Sequence, residues 1–424
     1  MADATSRTSP RTIFAATSGN VLEWYDFTAY GFLAPVIAKV FFPSDDPVAS
    51  LLSAFAVLAV GYLARPIGGA IFGHVGDRIG RKPAMITAVA LMGAGSVAIA
   101  LLPGHAAIGA TAPILLVLIR MVQGMAVAGE YTTAGVLLIE QTAPGRRGFV
   151  GGWIAFAMML GCVAGSGVPA LLGAFLSQAQ IEAWGWRIPF LLGSVVAAYS
   201  MIIRAQLTES LLDRATSISA PIVSAFRDHW RLIGQMVLLL IPAAVIYFVI
   251  FVYAATYLTD QMHFSSAQAL DITTINLLII ALLSVGLGSL SDRVGRRAVF
   301  LAGALATLVL AGPFWWLMHQ PSLTLVFRGQ LGFSLVNAVG WALSITVLVE
   351  IAPKGLRCTT VAMGYNICMA LFGGTTPMVA TYLVSRTGDD YAPVYYVIVA
   401  TLLSLPVILR LPRLIAAQGP QTPP

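Results

Sequence analysis

A ten-residue sequence occurs twice in this chain of 424 residues, each time between two long apolar segments. The first copy reads GHVGDRIGRK over residues 73–82, and the second reads GSLSDRVGRR over residues 288–297. Two longer stretches match in the same order: residues 120–140 run from Arg120 to Glu140, and residues 328–350 run from Arg328 to Glu350. Repeated elements in the same order indicate an internal duplication of the chain.

The composition places the duplicated units in a membrane. Hydrophobic residues make up 58% of the chain and charged residues only 10%, whereas soluble domains contain about 25% charged residues. About 20 apolar residues suffice to cross a bilayer. We place twelve transmembrane helices at residues 13–40, 48–72, 83–102, 111–139, 149–176, 187–204, 232–259, 268–290, 298–318, 322–349, 358–384 and 392–410.

Arginine and lysine residues indicate the orientation. They concentrate near both termini and in alternate connections, within residues 78–82, 146–147, 214–227, 293–297 and 354–357. The positive-inside rule places these connections and both termini in the cytoplasm. The sequence therefore predicts an all-α membrane protein of two pseudo-symmetric six-helix bundles. Residues 1–204 form the first bundle, residues 205–231 a cytoplasmic linker, and residues 232–424 the second bundle with a short cytoplasmic tail.

The first span carries charged residues near its middle. Glu23, Asp26 and Tyr30 are spaced to share one face of a helix, with Asn20 at its edge. A charged side chain at bilayer depth costs on the order of 3 kcal/mol on insertion scales, so this face should point to protein or to a water-filled path. We interpret it as the proton-handling wall of a transporter. The alternative is a polar packing patch that stays protonated.

The doubled ten-residue sequence resembles the signature of the major facilitator superfamily, Gly-x-x-x-Asp-Arg-x-Gly-Arg-Arg/Lys after the second helix of each half. Residues 19–27, 65–69 and 120–131 look like the metabolite–proton symporter branch, whose members carry citrate, 2-oxoglutarate, shikimate, and proline or betaine. Residues 184–190 and 372–377 are most like the citrate–proton symporters, although the arginine at position 328 departs from that subgroup. The resemblance covers the whole chain and implies a two-bundle fold that works by alternating access.

Buried charges of opposite sign lead us to expect two ion-pair sites. Asp26 should meet Arg120 of the fourth span, because opposite charges at that depth lower each other's burial cost. Resemblance to sugar–proton symporters points to the same pair, and protonation of Asp26 would release Arg120 to bind a carboxylate. Arg65 should lie between Glu23 and Glu130, which would share one proton. For both sites the alternative is a permanent structural salt bridge.

Polar residues within the spans are the candidates for contact with the solute, although interhelical hydrogen bonding is a competing role for them. The predicted proton-coupling residues are Glu23, Asp26 and Glu130. Arg328 is left out of the solute site because it lies opposite the polar face of its span, where it can snorkel to the headgroups. The predicted substrate-binding residues are Asn20, Tyr30, Arg120, Gln123, Tyr247, Tyr253, Asn276, Asn337 and Asn366.

Charged residues of the repeated loops are predicted to act as a gate. Their salt bridges would break and re-form as the two halves rock between states. The predicted gating residues are Arg65, Asp77, Arg78, Arg81 and Glu140 in the first half and Asp292, Arg293, Arg296 and Glu350 in the second.

These features predict secondary active transport and not catalysis. Import of each negative charge against about 100 mV costs about 2.3 kcal/mol, so an anion must enter together with cations. We predict a monomeric carrier of the bacterial inner membrane that imports an organic acid anion, a citrate-like tricarboxylate or dicarboxylate, by proton symport. We expect no cofactor, metal site or catalytic residue, and sodium is the alternative coupling ion. The alternative functions are a proton symporter for a zwitterion such as proline or betaine, a shikimate-like symporter, and a proton-coupled exporter.

Overall fold

A computed structural model describes residues 10–205, 221–254, 257–258, 262 and 264–419, and every regular element in these ranges is a helix. Six spans form the first half, and we number them 1 to 6: Pro10–Phe41, Pro47–Arg78, Arg81–Leu101, Thr111–Glu140, Arg147–Phe175 and Ile188–Ala205. Spans 7 to 12 form the second half: Pro221–Phe248, Ser266–Val294, Arg296–Met318, Leu323–Ile351, the pair Arg357–Cys368 and Thr376–Thr387, and Ala392–Ala416. Short helices lie in the connections, at Pro144–Arg146, His105–Ile108, Gln178–Ala183 and Gly185–Arg187.

Eleven of these helical segments are long and apolar enough to cross a membrane. Span 1, with 32 residues, is long enough as well. Its hydropathy is lower because Asn20, Glu23 and Asp26 interrupt the apolar sequence. The predicted all-α membrane fold of two six-helix bundles is therefore the observed one.

The predicted linker lies partly outside the described residues, at 206–220. Its last part is helical, because the helix Pro221–Phe248 starts before the predicted beginning of span 7. The backbone leaves helical geometry at His229, with φ −128° and ψ 15°. A kink therefore separates the end of the linker from the span proper.

Glycines of the repeated sequence bring the two halves together. Span 2 packs against span 11, where a Cβ on Gly73 would lie 2.7 Å from the Cα of Thr359. Span 5 packs against span 8 in the same way, since a Cβ on Gly148 would lie 2.3 Å from the carbonyl oxygen of Gly288. Only glycine permits such close backbone approach. The face of the molecule that carries the two repeated loops, which we call the loop face, is therefore closed by helix packing.

Two spans of the second half contain a π-helical turn. One turn, Val249–Tyr253, continues span 7 directly after Phe248, and the other, Met369–Gly373, lies between the two helices of span 11. A π-turn shifts the side chains that follow it around the helix axis and is frequent at functional sites. The outer parts of spans 7 and 11 therefore present different faces from those that an uninterrupted helix would show.

Candidate substrate and proton site

Glu23 and Arg65 form a buried ion pair between spans 1 and 2. Arg65 Nη2 lies 2.5 Å from Glu23 Oε1, and each residue is only 1% exposed. The second carboxylate oxygen, Oε2, has no hydrogen-bond partner among the described residues. The predicted contact is present, and it leaves one acceptor position of Glu23 open to a proton or a ligand.

Asp26 and Arg120 form a second pair, deeper inside the first half. Arg120 Nη1 lies 2.6 Å from Asp26 Oδ2, and both residues are completely buried. Ser96 donates to Asp26 Oδ1 at 2.8 Å, and Gln123 Nε2 donates to Ser96 Oγ at 3.2 Å. The ring of Tyr30 lies 4.1 Å from the guanidinium carbon of Arg120. The structure thus brings four predicted residues together, around a pair distinct from that of Glu23 and Arg65.

Glu130 does not share Arg65 with Glu23, so that part of the prediction is wrong. Its partner is Arg204 of span 6, whose Nη1 lies 2.6 Å from Glu130 Oε2 and whose Nη2 also bonds to Glu130 Oε1. Arg204 Nη2 donates further to the carbonyl oxygen of Ala16, at 2.6 Å. The pair therefore ties spans 1, 4 and 6 together. The sequence contained one indication of this pair, because Arg204 is the last residue of the apolar segment 187–204.

Three aromatic side chains of the first half, Trp24, Phe27 and Tyr62, surround the guanidinium of Arg65. Its central carbon lies 5.0 Å from the ring centre of Tyr62 and 5.9 Å from that of Trp24. Across the interface, Trp24 lies 6.0 Å from Tyr247 and 6.2 Å from Trp341, measured between ring centres. We call the following set the central aromatic cluster: Trp24, Phe27, Tyr62, Tyr247, Phe248 and Trp341.

Of this cluster the sequence predicted only Tyr247. The other rings come from spans 1, 2, 7 and 10, and nothing in their local sequence distinguishes them from core aromatics. Trp341 was recognisable in part, since it shares one face of span 10 with Gln330 and Ser334. A further pair of rings from the two halves, Tyr131 and Tyr365, is stacked with ring centres 4.6 Å apart.

On the loop face, an aspartate of each repeated sequence caps a helix of the opposite half. Asp77 accepts hydrogen bonds from the backbone N–H groups of Cys358, at 3.0 Å, and Thr359, at 2.8 Å. Asp292 accepts from Gly148 and Phe149, both at 2.8 Å. A carboxylate at a helix N-terminus satisfies unpaired donors and interacts favourably with the helix dipole. Two symmetry-related caps therefore hold the halves together.

Arginines add ion pairs to these two helix caps. Arg296 lies 2.7 Å from Asp292 and 2.9 Å from Glu350. Glu140 lies 3.3 Å from Arg81 and 3.1 Å from Arg357, an arginine of the other half that the prediction did not include. By contrast Arg78 and Arg293 are exposed and have no ion pair within the described ranges, because their side chains point away from the packed helices. Their assignment to the gate is not supported by the geometry.

Comparison with known proteins identifies the family. Residues 12–217 match the model of the family "Sugar (and other) transporter", and residues 236–423 match that of the "Major Facilitator Superfamily". A proline/betaine transporter of Salmonella typhimurium is 33% identical over 93% of this chain and 82% of its own length. A citrate–proton symporter of Salmonella typhi is 34% identical over 96% of this chain and 95% of its own length.

The chain belongs to the major facilitator superfamily. Its relatives place it in the metabolite–proton symporter branch, as the sequence predicted. They do not single out citrate, because proline/betaine transporters match equally well. The fold of this superfamily transporter is also that of a variant of XylE, with a TM-score of 0.78, 17% identity and 95% of both chains covered. The human organic anion transporter MFSD10 has a TM-score of 0.69 at 19% identity, with 94% of this chain and all of that chain covered.

Three predicted substrate residues of this transporter are asparagines that differ in their hydrogen bonding. Asn20 is fully buried, and neither polar atom of its side chain has a partner in the part of the chain that is described. Asn366 donates to the carbonyl oxygen of Ala128 across the interface, at 3.1 Å. Asn276 donates to the carbonyl oxygen of Ile272 in its own span, at 2.9 Å.

Two predicted residues lie away from the central aromatic cluster. Tyr253 is the last residue of the π-helical turn of span 7 and packs beside Trp315, with ring centres 6.5 Å apart. Asn337 lines a cavity of about 30 Å³ inside the second half, together with Thr307 and Ser404. Arg328 is exposed, as expected for a side chain that points away from the protein interior.

Proposed function

We propose that this transporter imports a small zwitterion, with one carboxylate and one methylated or secondary ammonium group, together with a proton. The observation that carries the proposal is the Glu23–Arg65 pair inside the central aromatic cluster. Arg65 supplies a charge for a carboxylate, and ring faces attract an ammonium group by cation–π interaction. Proline and betaine combine these two groups in one compact molecule.

Charge balance supports a zwitterion over a trianion. Arg65 is the charged partner that the cluster offers to a carboxylate, and Glu23 neutralises it when ionised. The aromatic quadrupole presents negative ring faces, which repel further carboxylates. A zwitterion needs one cation in the site, whereas a citrate-like trianion would need several.

Protonation of Glu23 provides the coupling in this proposal. A protonated Glu23 releases Arg65, which is then free to hold the carboxylate of the solute. The loaded site carries one net positive charge, and its inward movement gains about 2.3 kcal/mol for each 100 mV of inside-negative potential. Asp26 serves as a second proton site, because its ionised form is held by Arg120 inside the first half.

The location and assembly belong to the same proposal. The carrier acts as a monomer in the bacterial inner membrane, with both termini cytoplasmic and the loop face toward the cytoplasm. The proton is the coupling ion, and no cofactor takes part. The excess of arginine and lysine in the loop-face connections supports this orientation.

A citrate-like anion is the second candidate. The 34% identity to a citrate–proton symporter over nearly its whole length favours it. In this version protonation of Asp26 frees Arg120 as an additional cation for the anion.

Uptake by proteoliposomes tests both candidates. Labelled glycine betaine, proline and citrate are offered separately, with and without an inward proton gradient. The proposal expects gradient-driven accumulation of glycine betaine or proline, and no accumulation of citrate. Accumulation of citrate alone would favour the second candidate, and transport that ignores the gradient would contradict proton coupling.

A further inference from the structure

Two tryptophans whose buried indole N–H groups lack an acceptor pack against each other at the interface between the halves. Trp24 of span 1 is 3% exposed and Trp341 of span 10 is 1% exposed. Neither Nε1 atom has a hydrogen-bond partner among the described residues. The two rings are nearly perpendicular, at 74°, with centres 6.2 Å apart.

An unpaired indole N–H is a strong indication of a missing acceptor. The indole N–H can only donate a hydrogen bond. Where it is buried, it therefore needs an acceptor atom beside it. Leaving a buried donor unpaired is unfavourable, and most buried donors in proteins are satisfied. Two such donors in adjacent rings, one from each half, are therefore best explained by a ligand that brings the acceptor.

The surroundings identify the chemistry of that acceptor. The ring centre of Trp24 lies 5.9 Å from the guanidinium carbon of Arg65, so a positive charge lies beside the first of the two rings. Trp341 lies 6.0 Å from Tyr247, and both belong to the second half. Donors from two sides together with one guanidinium suit a carboxylate, which accepts through two oxygens.

We propose that Trp24 and Trp341 donate their indole N–H groups to the carboxylate of the transported solute, one from each half. This inference rests on the proposed function only in requiring a carboxylate, so it holds for a zwitterion and for citrate. A solute bound in this way connects spans 1 and 10 across the interface. The two tryptophans are thus specificity-determining residues that select carboxylates over neutral amides.

The test compares Trp24→Phe and Trp341→Phe with the wild type in proteoliposome counterflow. Phenylalanine keeps an aromatic ring and removes the N–H. The matched control is Trp316→Phe, since Trp316 is 54% exposed on the outside of span 9. The probes are glycine betaine, proline and citrate, each in competition with its own carboxamide.

Loss of one hydrogen bond to a charged acceptor should raise KM by about tenfold or more in each variant. The preference for the carboxylate over the carboxamide should fall as well, a change that a merely structural role would not produce. The Trp316→Phe control should keep both values. Wild-type KM and wild-type preference in both variants would overturn the inference while leaving the proposed function in place.

A second measurement uses the wild-type protein, so it does not depend on the folding of the variants. Wild-type protein labelled with ¹⁵N in the indole rings of its eight tryptophans is titrated with the same three solutes. Two N–H signals should move downfield on binding, as expected for new hydrogen bonds. Saturation by a transported solute without such shifts would overturn the inference. If none of the three solutes binds, the inference and the proposed function fail together.

Discussion

Asp26 accepts a hydrogen bond from Arg120 at 2.6 Å in a position where neither residue is exposed. Removing one partner of such a pair leaves an uncompensated buried charge, which costs much more than the pair itself contributes. A proton on Asp26 has the same electrostatic effect on Arg120 as removing its partner. In the proposed mechanism, protonation of Asp26 therefore requires a new partner for Arg120, which an anionic group of the solute would supply.

Asp26→Asn should reduce uphill accumulation while exchange continues, because Asp26 is the second proton site of the proposed mechanism. The amide keeps the size of the carboxyl group but cannot take up and release a proton. Proteoliposomes are assayed separately for gradient-driven uptake and for counterflow of the labelled solute. Asp271→Asn, at an exposed position of span 8, is the matched control and should retain both activities. Accumulation by Asp26→Asn at the wild-type level would exclude this residue as the second proton site.

Glu23→Gln should make solute affinity independent of pH. In the wild type, Arg65 is available only when Glu23 is protonated, so apparent affinity should fall as the pH rises. The glutamine variant has no charge to compete with the solute and should bind with constant affinity. Binding is measured as KM of counterflow at a series of pH values, equal on both sides of the membrane. A variant that keeps the wild-type pH profile would place the titrating group elsewhere.

Arg204→Met should destabilise the protein without a specific effect on coupling. It leaves the buried Glu130 carboxylate unpaired, which costs about 3–5 kcal/mol. Thermal unfolding of the purified protein measures the loss of stability. The double variant Glu130→Gln with Arg204→Met should regain much of the lost stability. The control is Glu182→Gln, which breaks the exposed Lys39–Glu182 pair and should cost no more than about 1 kcal/mol. If Arg204→Met destabilises the protein no more than Glu182→Gln does, the structural role of the Glu130–Arg204 pair is contradicted.

Asp77→Asn should open the loop face. The neutral side chain binds the N–H groups of Cys358 and Thr359 less strongly, so spans 2 and 11 separate more often. Cys358, which is 1% exposed, should then react faster with a membrane-permeant thiol reagent in a background where Cys162 and Cys368 are replaced by serine. Arg78→Gln alters an exposed neighbour and should leave the rate unchanged. A rate for Asp77→Asn equal to that of the control would show that the cap does not hold the face closed.

The overall architecture was predictable because its causes are local or additive. Hydropathy over about 20 residues defines a span, and the repeated sequence at 73–82 and 288–297 divides the spans six and six. The Asp26–Arg120 contact was also predictable, since two opposite charges at similar depth in one bundle strongly favour each other. Helical periodicity correctly placed Arg328 away from the polar face of span 10.

Partner choice between distant helices was not predictable in the same way. Glu130 could have met Arg65 or Arg204, and the rotation and adjacency of spans 2, 4 and 6 decide for Arg204. Tyr253 shows a related effect, because it ends the π-helical turn of span 7 and is therefore rotated from its place on a regular α-helix.

Membrane insertion, the twofold repeat and the existence of buried charge thus follow from composition and spacing, since those properties depend on neighbours along the chain. The meeting of Trp24, Arg65 and Trp341 depends on how three helices from two halves are rotated and packed. That arrangement exists only in the assembled fold, because no local rule relates the azimuth of one helix to that of another far away in the chain.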